Sequence, residues 1–571
     1  MKQYQIIGLL AVCFALLMPT THAQGDYRFG GLTMNRDLMM AWDFSDLSHT
    51  QTFGTARSMA MGGAFTSLGA DLSTMAQNPA GLGMFRHSEV SVTPLLSVAR
   101  ATNEGVDPWG GNGKNRFALS NFGVAMNLYE NGSSAITSVT FGFGMNRIAD
   151  FNTRYSFSVE DPYSAGMGRV PSIADVFVHQ LQFGAGGSPI LPQPGAGAHN
   201  PNGQMDFRDP YFWPAILAYK SAMIHVDPSN PTRWGRDAIG DQASILRSTD
   251  VVSSGSINEF DLSVGANINN IVYIGATVGV QSVSRNLEVR YGEDYGYFND
   301  PDRRARNARG ELLPAQLDYA DLHQRIEMQG SGVNFKLGVI VRPTEGLRFG
   351  VAFHTPTYYS IDRAYQAGVG YNLQDHTTQR AIEEFISSPV QYDEAGDSWD
   401  FISPSRLLLG ASYTLGRWAI LSVDYERAWY NGIRVKNVPG GVDFAPIDYK
   451  YDVKTNFTAT NAVRAGLEFR PLPILALRAG GGYTSSMLKD QSLAYEVPQK
   501  TDSWYFTAGV GVRFGKRFTL DAAYQQLTEN QSQYSLFYEF DRTTGEFGVD
   551  SGLFKTNMKR HFASLTFGVK F

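Results

Sequence analysis

The residue types that most often carry chemistry lack, in this chain, the spacings that catalysis needs. Its ten histidines form no His-Glu-x-x-His zinc motif, and no Gly-x-Ser-x-Gly nucleophile turn or Walker phosphate loop occurs. The stretch at 299–311 (NDPDRRARNARGE) lacks the ligand spacing of an EF-hand, so we interpret it as a solvated loop. A membrane hydrolase would need a Ser–His pair on neighbouring strands, and no spacing singles out one serine. We therefore expect no enzyme activity, no metal site and no cofactor.

The composition indicates an exported β-protein. Charged residues are only 18% of the chain, against about 25% in soluble proteins, while aromatic residues are 13% and glycines number 59. The formal net charge of −6 argues against a nucleic-acid partner, which would require a basic face. Cys13 is the only cysteine, so disulfides and thiolate metal sites are excluded.

The first residues predict a secretory signal peptide at 1–23. Lys2 precedes an apolar run at 6–17, and small residues up to Ala23 suit a cleavage site. The run is too short to span a bilayer, which takes about 20 residues. A lipoprotein signal ending at Cys13 is the alternative, but Val12 is bulky for that cleavage.

The end of the chain alternates with a period of two. In RHFASLTFGVKF (560–571) the apolar residues Phe567, Val569 and Phe571 share one face, and Gly568 and Lys570 lie on the other. A last strand that ends on an aromatic residue resembles the terminal recognition signal of bacterial outer-membrane barrels. We therefore predict Phe571 as an assembly signal read by the barrel assembly machinery; an ordinary strand of a soluble sheet is the alternative.

The same alternation recurs in hairpins. The segments 260–268 and 272–280 flank an Asn269-Asn270 turn, with apolar residues on one face and small or polar residues on the other. Five further tight turns are predicted at Asn131-Gly132, 343–346, Leu415-Gly416, Pro471-Leu472 and Gly515-Lys516. With a strand near 88–99 and the terminal strand, this gives 14 strands.

Long and short connections alternate strictly between these strands. The long links lie near 101–116, 148–255, 291–324, 360–403, 435–451, 489–501 and 538–557. Short periplasmic turns and long external loops are typical of outer-membrane barrels, whereas a soluble sandwich has no reason to alternate them. We therefore predict an all-β fold: a 14-stranded antiparallel transmembrane β-barrel over 88–571, with large extracellular insertions at 148–255 and 360–403.

Residues 24–87 precede the first strand and include a glycine-rich apolar stretch, GTARSMAMGGAFTSLGADLSTMAQNPAGLG (54–83). Asp71 could cap a short helix, which must end at Asn78 because Pro79 follows. Gly81 and Gly83 then let the chain bend back toward the first strand. We predict that this segment is a compact hatch that fills the periplasmic mouth of the lumen.

This segment resembles the N-terminal hatch of the FadL/TodX outer-membrane transporters for long-chain fatty acids and hydrocarbons. Asn78, Pro79, Ala80, Gly81 and Leu82 match the family pattern in full, and Asp71 stands at its acidic position, although Leu72 replaces a small residue. A later hairpin resembles the family through Pro404, Gly410, Tyr413 and Trp418. The resemblance implies a 14-stranded barrel and a gating role for residues 71 and 78–82. It fails in the links 148–255 and 360–403, so the family's ligand residues cannot be carried over to them.

The resemblance also implies a lateral route. Family members are thought to release ligand through a kinked third strand, and the third predicted strand carries Gly142 and Gly144 on its inward face. We expect either a lateral opening near these glycines or, equally, small residues that make room for the hatch.

The largest insertion contains two apolar stretches. SIADVFVHQLQ (172–182) predicts an amphipathic helix capped by Ser172. DPYFWPAILAYKSAMIHV (209–226) would expose many apolar side chains in an external link, which predicts a capture groove for ligand. The alternative is a loop that packs on itself over the barrel mouth. The groove residues would be Tyr211, Phe212, Trp213, Ile216, Leu217 and Tyr219.

These observations lead to one principal expectation. We expect a barrel in the outer membrane of a Gram-negative bacterium that takes up a hydrophobic small molecule passively, through an apolar lumen pocket. Its partners would be that ligand, outer-membrane lipids and lipopolysaccharide, and the barrel assembly machinery. The alternative is a FadL-like barrel that acts in secretion or surface export and binds protein partners.

The terminal strand gives a first test. Deleting Phe571 should lower the surface abundance of the protein several-fold, because the assembly machinery would lose the aromatic end that it reads. Phe571→Tyr keeps an aromatic ring and should assemble normally. Quantitative surface labelling of intact cells compares the two variants, and equal abundance of the deletion and wild type would mean that the signal was misread.

Overall fold

The structure is a computed structural model. It describes residues 27–30, 39, 41–104, 112–164, 166, 168–183, 189–191, 207, 212–227, 230–236, 238–295, 306–307, 309–378, 380–392, 398–439, 449–489, 501–541 and 546–571. The predicted signal peptide and Tyr211 lie outside the described residues.

Fourteen antiparallel strands close into a barrel, as predicted. In chain order they are β1 Glu89–Glu104, β2 Gly113–Glu130, β3 Ile136–Asp150 continued by Thr153–Asp161, β4 Ile245–Ile268, β5 Val272–Asp294, β6 Ala315–Val341, β7 Leu347–His354 and Tyr358–Asp375, β8 Trp399–Ile402 and Arg406–Leu415, β9 Ala419–Trp429 and Arg434–Asn437, β10 Ala459–Leu472, β11 Leu475–Thr484, β12 Ser503–Phe514, β13 Phe518–Ser535 and β14 Leu553–Lys570.

Each strand pairs with its neighbours in sequence, and β1 pairs with β14 to close the ring. The predicted turn at Asn269-Asn270 is confirmed: both residues have positive φ, 52° and 56°, as a two-residue type I′ hairpin turn requires. The turn predicted at Pro471-Leu472 lies two residues later, because Leu472 pairs with Leu475 around Pro473-Ile474. Closure leaves no free sheet edge within the membrane.

The strands β4 to β7 rise far above the membrane, and their polarity inverts as they do. On β5 the outward residues Ile274, Val278 and Val280 are apolar, but from Ser282 onward the outward face is polar. The inward face changes in the opposite sense, from Thr277 and Gln281 to apolar residues such as Val283. A membrane strand needs only about 9–11 residues, so the inversion marks where lipid outside gives way to water. The sequence-based strands covered only the membrane-level part, and 245–254 and 281–294 were missed.

Above the membrane the interior is an apolar core built from the protein's own links. The helices Ile173–Phe183 and Trp213–Lys220 pack inside the raised wall, and Ser172 Oγ accepts the N–H of Ala174 as the predicted cap. Trp213 stacks on Tyr365 of β7 with ring centroids 5.7 Å apart. The expected capture groove is therefore wrong, because the apolar side chains of this helix face the core. The buried ones are Phe212, Trp213, Ile216, Leu217 and Tyr219.

Residues 39–87, the N-terminal segment, run inside the barrel. The helices α1 Ala41–Ser48, α2 Ala56–Ala60 and α3 Thr74–Gln77 and a 3-10 turn at Pro79–Met84 give it its shape. The sequence predicted a hatch at the periplasmic mouth, but the segment extends further: Phe44 of α1 packs on Phe401 near the external end of β8. None of the described helices is long and apolar enough to cross a membrane.

Candidate functional site: the N-terminal segment in the barrel lumen

Glycines on the inward face of the wall bring the N-terminal segment into backbone contact with the barrel. A Cβ at Gly338 would lie 1.8 Å from Asn78 Oδ1, and one at Gly275 would lie 2.3 Å from the Pro79 carbonyl oxygen. Gly265, Gly275 and Gly338 are direct neighbours across β4, β5 and β6. Ten strands contribute to this glycine belt, whose members are Gly123, Gly142, Gly144, Gly265, Gly275, Gly338, Gly350, Gly410, Gly466, Gly480 and Gly509.

Hydrogen bonds from the wall hold the segment around the whole ring. Thr277 Oγ1 donates to the Met75 carbonyl at 3.1 Å, and Thr507 Oγ1 donates to the Ala60 carbonyl at 2.8 Å. The Thr66 N–H donates to Asp424 Oδ2 at 2.7 Å. These strand residues satisfy backbone groups that the segment's short, irregular elements leave unpaired.

Asn78 is the joint of the segment and has no exposed surface. Its Nδ2 donates to the Thr66 carbonyl at 2.6 Å, and its Oδ1 accepts the Ala80 N–H at 3.1 Å. Since Thr66 is itself bonded to β9, one side chain ties the turn at Pro79 to the middle of the segment and, through it, to the wall. A side chain with both a donor and an acceptor is required for this role.

The other predicted hatch residues surround this joint. The Asp71 carboxylate accepts the Ser73 N–H at 3.0 Å and the Thr55 hydroxyl at 2.8 Å, which links α2 to the start of α3. A Cβ at Gly81 would lie 2.8 Å from Thr74, so glycine lets the two turns touch. Ala80 and Leu82 are fully buried, and Leu82 lies against Gly265.

Gly142 and Gly144 face the segment, but the strand that carries them has no opening. The ladder from β3 to β2 continues through Gly142 and Gly144 to Asn146, with one bulge at the far end, and the ladder to β4 is continuous from Ser138 to Arg147. The expected lateral opening at these glycines is therefore contradicted. A Cβ at either position would lie 2.7 Å from Met75, so the glycines instead make room for the segment.

Buried ion pairs form a second layer of contacts. Glu426 of β9 pairs with Arg406 of β8 at 2.8 Å and with Arg464 of β10, and Arg406 also donates to the Ser48 carbonyl at 2.6 Å. Arg57 of the segment pairs with Glu468 at 3.1 Å. Isolated charges would be costly at this depth, so each is compensated by a partner and by hydrogen bonds.

A cavity of about 100 Å³ lies beside Gln77, with room for several water molecules. Its lining is mixed: most of the lining side chains are polar or charged, but Phe53, Ile148 and Leu408 also contribute, so it is less apolar than the expected lumen pocket. Asn334 is 3% exposed, and its Oδ1 has no partner, so an acceptor is available there for a water molecule or a ligand. The lining includes Gln77, Asn334, Lys336, Tyr359, Glu426 and Arg464. Among the described residues, no three His, Cys, Asp or Glu side chains are grouped to hold a metal ion.

Two titratable groups of the segment are shifted by this environment. Burial alone would lower the pKa of Arg57, but the Glu468 and Asp71 carboxylates outweigh it and raise the pKa, so Arg57 stays charged. Burial, followed by the positive charges of Arg406 and Arg560, lowers the pKa of His49 from 6.5 to about 4. The His49 side chain is only half-buried by neighbouring atoms, yet it lies deep in the lumen, and this depth disfavours its charged form.

An outer-membrane β-barrel whose lumen is filled by its own N-terminal segment is a transport-protein architecture of Gram-negative bacteria. The family model for outer membrane transport proteins (OMPP1/FadL/TodX) matches residues 247–562. The chain belongs to this family.

Comparison with solved structures gives one match that supports the fold, the first of the three that follow. A FadL homologue of Pseudomonas aeruginosa is 13% identical and superposes with a TM-score of 0.52, covering 92% of this chain and 100% of its own. The toluene transporter TodX of Pseudomonas putida is 11% identical, with a TM-score of 0.46 and coverage of 92% and 100%. The Ralstonia pickettii toluene transporter TbuX is 14% identical, with a TM-score of 0.46 and coverage of 91% and 99%. No curated protein matches the chain.

The sequence predicted a functional role for Asn78 but did not identify most of the wall residues that contact it and the rest of the segment. Alternation places Gly265, Gly275 and Gly338 on the inward face at one level, and that pattern could have indicated a close approach. Nothing in the sequence relates Arg406 to Ser48, which lie hundreds of residues apart.

The glycine belt makes a steric prediction. Gly338→Ala would force Asn78 from its seat, because the added methyl group overlaps Oδ1, and overpacking of this kind costs about 1–3 kcal/mol. Ion conductance in planar bilayers should rise while barrel assembly is retained. Gly132→Ala, in an open turn, is the control. In an Asn78→Ala background the same Gly338→Ala change should be nearly neutral; an equal effect in both backgrounds would rule out the contact.

His49 makes a prediction about acid. Its pKa in the seated segment is about 4, below the ordinary 6.5, so between these pH values only an unseated histidine binds a proton. Seating is therefore unaffected above about pH 6.5 and weakens as the pH falls toward 4. The melting temperature of the purified barrel should be lower at pH 5 than at pH 7.5, and His49→Gln should reduce that difference. The same pH response in both proteins would assign it to other groups.

Proposed function

We propose that this protein carries a hydrophobic small molecule, such as a long-chain fatty acid, passively across the outer membrane, with the N-terminal segment as its gate. Family membership supports the transport of hydrophobic compounds, and the relatives described above include transporters of toluene. The observation that carries the gate is the segment itself: it occupies the lumen on the glycine belt and is jointed at Asn78, a single buried side chain.

The contacts support local displacement of the segment. The stretch around Pro79 is held mainly by backbone contact and a few hydrogen bonds, whereas the Arg57 ion pair and the hydrogen bond from Arg406 to Ser48 hold the part of the segment that precedes it. Because each 1.4 kcal/mol changes a population about tenfold, the loss of two or three hydrogen bonds would populate a displaced state. The cavity at Gln77 adjoins this stretch and would hold the water that a displaced segment needs.

A second candidate is the FadL-like barrel in secretion or surface export. The observation that favours it is the apolar core above the membrane, where the protein's own helices occupy the space in which a greasy ligand would collect. Mass spectrometry of the purified barrel separates the candidates. Co-purifying lipid or fatty acid supports transport, and a co-purifying polypeptide at constant stoichiometry supports export.

Asn78 provides the direct test of the gate. Asn78→Ala leaves the Thr66 carbonyl and the Ala80 N–H unpaired, which costs about 1–3 kcal/mol per buried group and touches no strand. Ion conductance and uptake of radiolabelled oleate should both rise at matched surface levels, and Pro79→Ala should act in the same direction. Asn131→Ala, in an exposed periplasmic turn, is the control. If Asn78→Ala and Asn131→Ala both behave as wild type, the segment is not a gate.

A further inference from the structure

The N-terminal segment passes through the whole lumen rather than stopping at the periplasmic mouth. Its carboxyl-terminal end is fixed there, since the Ser88 carbonyl, next to β1, accepts the N–H of Phe571 at 3.0 Å. Its other end lies among the external links. The Met39 carbonyl accepts a hydrogen bond from Tyr449 Oη at 2.9 Å, and Tyr449 begins a helix, Tyr449–Asn456, in the link between β9 and β10.

Phe44 makes an aromatic anchor at this external end. Its ring centroid lies 5.0 Å from Phe401, 5.6 Å from Tyr449 and 6.3 Å from Trp399, and its side chain is fully buried. Trp399 and Phe401 belong to the external part of β8, far from the periplasmic turn at Gly416. Burying an aromatic side chain among three other rings is favourable, so α1 is held firmly at this end.

Polar contacts hold α1 from the other side. Asp46 pairs with Arg285 of β5 at 3.1 Å, at a level where the inward face of β5 has already become apolar. Tyr430 Oη and Arg406 both donate to the Ser48 carbonyl, at 3.4 and 2.6 Å. The end of α1 is thus fixed to two strands of the wall and to the 3-10 turn Tyr430–Gly432 between the two parts of β9.

The chain before α1 continues outward. The strand Tyr27–Gly30 pairs antiparallel with Tyr538–Asp541, from Tyr27 opposite Asp541 to Gly30 opposite Tyr538. Tyr538–Asp541 in turn pairs with Glu546–Asp550, and both lie in the link between β13 and β14. That link joins the ends of β13 and β14 remote from the periplasmic turn at Gly515, so it is external.

We propose that the strand Tyr27–Gly30 lies at the cell surface and that the N-terminal segment is a strap anchored at both ends of the barrel. The inner anchor is the Asn78 joint on the glycine belt, and the outer anchor is α1 with the strand Tyr27–Gly30. This goes beyond the proposed function, because it fixes where Tyr27–Gly30 and α1 lie whether or not the segment gates.

Single-cysteine variants test the topology directly, because Cys13 is the only native cysteine and lies within the predicted signal peptide. Arg28→Cys should react with a membrane-impermeant maleimide on intact cells to the same extent as Gly166→Cys in the external link between β3 and β4. Gly132→Cys, in the periplasmic turn between β2 and β3, should react at least about tenfold less until the outer membrane is permeabilised. Both control glycines have open space around them. Labelling of Arg28→Cys only after permeabilisation would overturn the proposal.

A cross-link decides the case in which Arg28→Cys reacts on neither side. Phe44→Cys combined with Phe401→Cys should be joined by a short bifunctional thiol cross-linker in intact cells, whereas Phe44→Cys combined with Gly132→Cys should not. Formation of the first cross-link places α1 at the outer anchor, and its absence rejects the strap. Neither assay depends on transport, so a protein that fails to take up oleate would refute the proposed function and leave this inference standing.

Discussion

The contact between the backbone of the N-terminal segment and the backbone of the barrel wall constrains the rest of the structure. It requires glycine at inward positions where the segment's backbone meets the wall, and it requires glycines of neighbouring strands to match in register. Gly265, Gly275 and Gly338 satisfy both requirements by pairing directly across three strands. A Cβ at any of them would overlap the segment, so the register of the barrel and the path of the segment fix each other.

Polarity explains how one strand can serve two environments. In the membrane the apolar residues of β5 and β6 face lipid and the polar ones face the lumen, whereas above it the arrangement is reversed. The same strand is thus a membrane strand in its lower half and the wall of a soluble-type core in its upper half. The buried aromatic residues Tyr365, Trp399 and Phe401 lie above the membrane, where the inward face is apolar. The ion pairs of Glu426 and Lys336 lie at membrane level, where the inward face is polar.

The buried ion pairs in the lumen define one arrangement of the segment and the wall rather than adding much to the stability of the fold. Buried ion pairs are expensive to desolvate and are seldom more stable than an apolar core of equal volume. Lys336 pairs with both Glu259 and Asp261, and Glu426 pairs with both Arg406 and Arg464, so removing Lys336 or Glu426 would leave two buried like charges without their shared partner. An aqueous cavity and a segment that can be displaced both need polar surroundings, which an oily lumen would not supply. The unbroken ladder at Gly142 and Gly144 is consistent with this arrangement, since it directs passage along the lumen rather than through the wall.

The sequence alone determined the features that depend on local periodicity and local backbone geometry. Alternation at 260–268 and 272–280, together with the Asn269-Asn270 turn, was enough to give the membrane strands and their number, because lipid imposes one pattern on every strand. The break in the chain at Asn78-Pro79 could also be predicted, because a proline restricts the backbone of the residue before it in any environment. Tertiary structure decided the rest: that Phe212 and Trp213 are buried, that α1 lies at the external end, and that Gly142 faces Met75 and has no opening beside it. These outcomes depend on which distant groups meet, such as Arg406 with Ser48 or Phe44 with Phe401, and no local pattern encodes a contact between residues more than 350 positions apart.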